Sequence, residues 1–293
     1  MLVDDYSVSD SSLMSTDDVD GILLGHILNE VKSGKLVLPS VPGVAQKVGT
    51  AIQHAGDDVH KLSRVLMIDP ALAVKTIKAV NSHLQGGESP VATVEEAVVR
   101  LGPERVGDLV VSCVLRESLR RPDPLIAERV QAWWERSMRV SAISYVLARL
   151  SERFDPNFAA LAGMVHRIGE PVVLGYANEL DYRYDVESLD AMIETNVNQV
   201  GRMLLTLWNQ APELITVVSE SGNLMRDTGH AADYADIVLV AERHADIGLA
   251  PKAAETAPDQ MPAFHRLGLS NVSPSFSLKI VETANDVLAE AES

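Results

Sequence analysis

The chain reads as an all-α protein, a multi-helix bundle in two packed halves. Three observations predict this. Apolar residues recur at the i, i+3, i+4, i+7 spacing of one helix face in segment after segment. No alternating period-2 run of useful length occurs, so a sheet has no candidate strands. Helix start and stop devices (Asp-Pro, Thr-x-x-Glu, Gly-Pro) separate the periodic segments at short intervals.

Residues 1–14 combine Asp and Ser with few large apolar groups, too few to offset the entropy of ordering, and read as a flexible acidic tail. Val19, Ile22, Leu23, Ile27 and Val31 then form a first helix that stops at Gly34. After the turn Leu38-Pro39-Ser40-Val41-Pro42, a second stripe of Val44, Val48 and Ile52 predicts another helix. Asp69-Pro70 starts the next one, because Asp caps free N–H groups and proline at the first helical position loses no hydrogen bond. Its buried face is Leu72, Ala73, Thr76, Ile77 and Val80, and it should end near Asn81-Ser82. Thr93 and Glu96 have capping-box spacing ahead of Val94, Ala97, Val98 and Leu101. Gly102-Pro103 closes that helix and opens one carrying Val106, Leu109, Val110, Cys113 and Val114.

Arg121-Pro122-Asp123-Pro124 is the clearest internal break and divides a helical half at 15–120 from a second at 125–249. The second half opens with a long helix through Trp134, Met138 and Tyr145 to about Leu150. Helical patterns follow at about 158–178, 188–207, 212–225 and 231–247. Residues 250–293 form a C-terminal extension, looser at first, with a last helix near 275–290.

Acidic side chains outnumber basic ones by 41 to 25, for a formal charge of −16, which argues against nucleic-acid binding because phosphate contacts need a basic surface. No apolar run approaches the ~18 residues of a membrane span. No Lys or Arg precedes Lys32, so the basic start of a secretory signal is missing and a cytoplasmic location is expected. Cys113 is the only cysteine, which excludes an intrachain disulfide and a cysteine zinc cluster. Neither a nucleophile elbow nor a phosphate-cradling or dinucleotide-binding glycine loop occurs, so no cofactor is expected.

The order of these marks resembles the HDOD family over roughly residues 35 to 225. The resemblance rests on Leu38-Pro39 to Pro42, Ile68-Asp69-Pro70-Ala71-Leu72, Ala79-Val80-Asn81-Ser82 and the Val94 to Gly102 helix. It continues through Trp134 with Ser137, Leu161-Ala162-Gly163-Met164-Val165-His166-Arg167-Ile168-Gly169, and Gly201 followed by Trp208. It implies an HD-domain-like core in the C-terminal half, related to the HD metal-dependent phosphohydrolases. Those enzymes hold metal with an early His, an adjacent His-Asp pair and a later Asp, which polarise phosphate oxygens and activate water.

In this chain the His-Asp position reads His166-Arg167, and a guanidinium neither ligates nor tolerates a cation. The early His position reads Arg136, the region before Gly201 holds Val197 and Asn198, and the helix after Pro212 carries Ser219-Glu220-Ser221 where family members show a His pair. No metal is therefore expected, and His166 with Arg167 is read as a remnant. Glu242, His244 and Asp246 are the nearest other grouping, but alternate helix positions diverge. Carboxylates such as Asp233 or Asp236 would have to be recruited for a surviving phosphohydrolase.

Trp133 and Trp134 point about 100° apart on a helix, so either one meets a partner or both fill a thick core between the halves. Arg116, Arg120, Arg121, Arg129, Arg136 and Arg139 gather positive charge around the internal break, where an acidic partner or a phosphate-bearing ligand could dock or where helix faces are simply solvated. Trp134, Arg136 and Arg139 are the candidate surface or ligand contacts. The resemblance implies a non-catalytic regulatory module. The flanking segments are too short for a receiver domain, so a signalling partner in trans is expected, with self-association allowed. The alternative is a metal-dependent phosphohydrolase acting on a nucleotide or phosphodiester. A third, a small-ligand sensor, would place a pocket between the halves.

Overall fold

The computed structural model describes residues 16–33, 36, 58–82, 89–103, 105, 106, 109, 123–179, 185–246, 260–269, 279, 280 and 282–286. The acidic tail, the expected helix at 44–52, Cys113, and Arg116, Arg120 and Arg121 lie outside them. The described residues form helices joined by turns, with no strand among them. The N-terminal elements are α1 (Thr16–Ser33), α2 (Val59–Leu66), α3 (Pro70–Asn81) and α4 (Val94–Leu101). The C-terminal ones are α5 (Pro124–Ser151), α6 (Pro156–Val165), α7 (Gly169–Glu179), α8 (Val186–Leu207), α9 (Pro212–Glu220), α10 (Tyr234–Ala245) and α11 (Pro262–Arg266). Residues 279, 280 and 282–286 are also helical, within the last helix expected at 275–290.

Local signals act as their chemistry requires. The Asp69 carboxylate accepts from the N–H groups of Ala71 (2.7 Å) and Leu72 (3.1 Å) and caps α3. Thr93 and Glu96 form the full capping box at α4, and Asp123 caps α5 by accepting from Leu125 N–H at 2.9 Å. Asn81 does more than end α3. Its buried side-chain amide donates to the Val91 carbonyl (3.1 Å) and accepts from the Val91 N–H (2.9 Å), pinning the strand-free segment that leads into α4.

Helices α2, α3 and α4 pack on one another, and α5 forms the axis of the second half, lying against α6, α7 and α10. The first helix crosses the chain order: α1 packs against α7 and α8. The halves meet through α3 on α6. At this junction the Trp134 indole N–H donates to the Ile68 carbonyl (2.9 Å), and the Lys78 ammonium sits 4.5 Å from the centre of the Trp208 ring. Trp133 is buried and turns the other way, its N–H donating to the Arg167 carbonyl at 3.0 Å. The two tryptophans thus tie α5 to both halves.

The pattern expected at 158–178 resolves into two helices, α6 and α7, interrupted at His166-Arg167-Ile168. The cause is non-local. A Cβ on Gly169 would stand 2.0 Å from the Val197 carbonyl oxygen of α8, and one on Gly201 would meet Val218 at 2.5 Å and the Gly169 nitrogen at 3.2 Å. The start of α7 is therefore pressed backbone to backbone on α8, a path that a continuous helix from α6 does not follow. Alanine at Gly169 is expected to destabilise by about 2–3 kcal/mol through overpacking. Alanine at Gly25, an exposed α1 position with nothing within 4 Å of the added carbon, should stabilise by up to about 1 kcal/mol. Urea unfolding of the two variants beside the parent protein measures both.

Candidate functional site

The turn between α6 and α7 places His166 in the middle of the second half. Small residues let it sit there: a Cβ on Gly163 would come 2.6 Å from Ser144 Oγ and 2.8 Å from the Val140 carbonyl oxygen, so α6 crosses α5 at van der Waals contact with its backbone. The Ser141 hydroxyl stitches the crossing by donating to the Ala160 carbonyl at 2.8 Å. The Gly163 carbonyl then lies 2.7 Å from His166 Nδ1. A carbonyl only accepts, so Nδ1 carries the proton and Nε2 presents a lone pair.

That lone pair faces Glu242 of α10, with Nε2 3.9 Å from Oε1. His166 is fully buried, and Nε2 has no hydrogen-bond partner among the described residues. Burial, followed by the positive charges of Arg136 and Arg167, holds the His166 pKa down to about 3. The imidazole is neutral, so its approach to Glu242 is a polar contact and not an ion pair. Burial pushes the Glu242 carboxyl above its ordinary range, opposed by the Ser221 hydroxyl (2.8 Å), the charge of Arg136 and the Gly222 N–H (3.1 Å). The Asn198 amide donates to the Ser221 carbonyl at 2.9 Å and holds that loop in place.

Two guanidiniums complete the cluster. Arg136 of α5 pairs with Asp246 just past the end of α10. Arg167 bridges Glu170 (Nε to Oε2, 2.8 Å) and Glu194 of α8 (Nη2 to Oε1, 2.6 Å). Burial disfavours charge on both Arg167 and Glu170. For Arg167 the two carboxylates outweigh burial and keep it charged, while for Glu170 burial outweighs the shared guanidinium and raises its carboxyl.

The positions singled out in the sequence therefore converge: Arg136, His166, Arg167, Asn198 and Ser221 all face the His166–Glu242 centre or the groups that hold it. Glu242 is the residue that sequence reasoning undervalued. Glu242 and Asp246 are four apart and share a face of α10, whereas His244, between them, turns away to the Val240 carbonyl (2.7 Å) and stacks on Phe264. The notion that Asp233 or Asp236 might be recruited to His166 does not survive the geometry. They form the capping box at the other end of α10. Six residues, about 9 Å of helix axis, separate Asp236 from Glu242. Asp236, fully buried, is taken by Arg226 (3.0 Å) and Arg266 (2.5 Å), which lock α11 onto α10. Arg139 is half-buried on α5 and makes no ion pair among the described residues.

The donor set does not fit the metal centre of an HD phosphohydrolase. His166 Nε2 and Glu242 supply two donors. The remaining carboxylates, Asp246, Glu170 and Glu194, are engaged by Arg136 and Arg167, whose fixed positive charges stand close enough to depress the imidazole.

Comparison with known proteins identifies the family and the fold. The family model described as HDOD domain matches residues 38–224. Among solved structures, the MmoQ response regulator of Methylococcus capsulatus superposes with a TM-score of 0.64 at 20% identity, over 84% of this chain and 98% of that one. A virulence factor of Campylobacter jejuni gives 0.59 at 14% identity, over 90% and 97% of the two chains. A protein from Shewanella amazonensis, provisionally described as a metal-dependent phosphohydrolase, gives 0.53 at 21% identity, over 94% and 99%. At these identities the likeness is one of fold. No curated protein matches the chain, and none of its described helices is long and apolar enough to cross a membrane.

The neutral imidazole sets a pH signature. The unfolded chain protonates His166 near its ordinary pKa of 6.5, and the folded chain only near 3. Stability from this group is thus fully present above pH 6.5 and falls by about 1.4 kcal/mol per unit as the pH drops toward 3. Glu242 and Glu170, with raised carboxyls, act in the opposite sense, losing stability as the pH rises above the ordinary carboxylate range. Between about pH 6.5 and about pH 5, the parent protein should lose about 2 kcal/mol more than His166→Gln, read from urea midpoints at the two pH values.

Proposed function

The chain belongs to the HDOD domain family, and on that premise we propose that it is a non-catalytic bacterial signalling module that acts by binding a protein partner in trans. The observation that carries this reading is the pair of guanidiniums, Arg136 and Arg167, flanking a buried neutral His166. Where an HD phosphohydrolase needs carboxylates free to hold a cation, this chain spends them on its own side chains. A permanently charged arginine can neither exchange for a metal nor activate water, which leaves recognition as the work of the domain. The likeness in fold to a protein named a response regulator agrees with a signalling role. The strongly acidic chain favours a protein partner over nucleic acid, and we place that partner in the cytoplasm. Trp134, Arg136 and Arg139, all half-buried on α5, are the side chains we assign first to partner contact.

One observation favours the second reading, a metal-dependent phosphohydrolase: the unpartnered Nε2 lone pair of His166 aimed at Glu242. Hydrolysis of bis(p-nitrophenyl) phosphate and of cyclic dinucleotides in the presence of Mn2+, Fe2+ or Zn2+ separates the two. The expected result is turnover at the protein-free background, unchanged in His166→Ala. Metal-dependent turnover that His166→Ala or Glu242→Gln abolishes would overturn the non-catalytic reading.

A further inference from the structure

A second cluster lies outside the site, and two of its residues, His26 and Glu30, precede the residues that the family model matches. On α1, His26 and Glu30 are four apart and so share one helix face. Glu179, the last residue of α7, meets them. His26 Nε2 is 3.7 Å from Glu179 Oε2 and 3.9 Å from Glu30 Oε1. One ligand atom from each of the three falls within 4.8 Å of the others. Tyr176, three residues before Glu179 on α7, lies against the imidazole with ring centres 5.1 Å apart. These four side chains line a hollow between α1 and α7, together with Ile27 and Val172.

The spacing suits a small cation. Bonds of about 2.0–2.2 Å from a tetrahedral zinc to nitrogen and oxygen set its ligand atoms about 3.4 Å apart. Two of the separations here are within about half an ångström of that, and partly exposed side chains can close the rest by small rotations. The donor chemistry selects among cations: one imidazole with two carboxylates suits zinc and its neighbours, whereas Mg2+ and Ca2+ prefer oxygen alone.

We infer that His26, Glu30 and Glu179 form a binding site for a divalent cation of the zinc class, which clips the N-terminal helix α1 onto α7. Two ligands come from one helix and the third from a distant part of the chain, so the site exists only when α1 is docked. Binding therefore stabilises the docked arrangement. The position has no share in the His166 centre and does not depend on the function proposed for it.

The test uses the full chain, stripped with chelator and titrated with Zn2+ by calorimetry and thermal unfolding. One equivalent should bind, and a metal concentration of about 100 times Kd should raise Tm by about 5 °C. Mg2+ at the same concentration should do neither. His26→Ala and Glu30→Gln, at partly exposed positions, should each lose both the equivalent and the shift measured from its own metal-free Tm. The visible absorption of bound Co2+ should vanish in His26→Ala as well. Absence of a stoichiometric Zn2+ equivalent in the parent protein, or the same uptake and shift in His26→Ala, overturns the proposal. Uptake lost only with His166→Ala would also overturn it, and would count against the non-catalytic reading instead of for this site.

Discussion

The arrangement of the second half hangs on backbone packing at two glycine crossings on either side of His166. At Gly163 the α6 backbone touches Val140, Ser141 and Ser144 of α5, and at Gly169 the α7 backbone touches Val197 and Gly201 of α8. Backbone meets backbone at both points, with only the small Ser144 hydroxyl beside it at the first, so the turn between them has little freedom of position. The consequences run outward. The Gly163 carbonyl fixes the tautomer of His166, the tautomer aims the Nε2 lone pair at Glu242, and the Trp133 indole holds the Arg167 carbonyl so that its side chain reaches Glu170 and Glu194.

Charge balance around this turn is kept by groups that cannot leave. A metal in an HD phosphohydrolase is an exchangeable dication whose carboxylate ligands lie idle without it. Here Arg136 and Arg167 are tethered cations, each with its own carboxylate partner. The Arg167–Glu170 pair is nearly buried, so removing one member is costly because the other is left charged and poorly hydrated, whereas the Arg136–Asp246 pair is partly exposed and water can reach it. The cluster thus constrains its own sequence even in the absence of chemistry. It also explains how an imidazole can sit neutral beside a carboxyl: two neighbouring positive charges and complete burial both oppose its protonation.

Helix α10 serves two ends of the molecule. Its N-terminal turn holds Asp233 and Asp236 for Arg226 and Arg266, a network that anchors α11. Its C-terminal turn offers Glu242 and Asp246 to the His166 centre. The same residue types do structural work at one end and define the candidate site at the other, and only their direction on the helix tells them apart.

Helix boundaries were legible wherever the determining contacts lie within four residues. Asp69-Pro70 and the Thr93–Glu96 box each cap a helix through bonds to the next turn, so composition and spacing suffice to read them. The same holds for the inability of Arg136 and Arg167 to ligate a cation, since a guanidinium has no lone pair to donate wherever it is placed. The interruption at His166-Arg167-Ile168 was not legible, because its cause is the Val197 backbone of another helix. The pairing of His166 with Glu242, the diversion of Asp233 and Asp236 into a cap, and the meeting of His26 with Glu179 join residues far apart in the chain. By itself the sequence determined the helices, their caps and the chemical types at Arg136, His166 and Arg167, since these follow from local hydrogen bonding and side-chain chemistry. Tertiary structure alone decided which carboxylate faces which cation, because that depends on how the helices cross, and crossing is set by contacts that no local window contains.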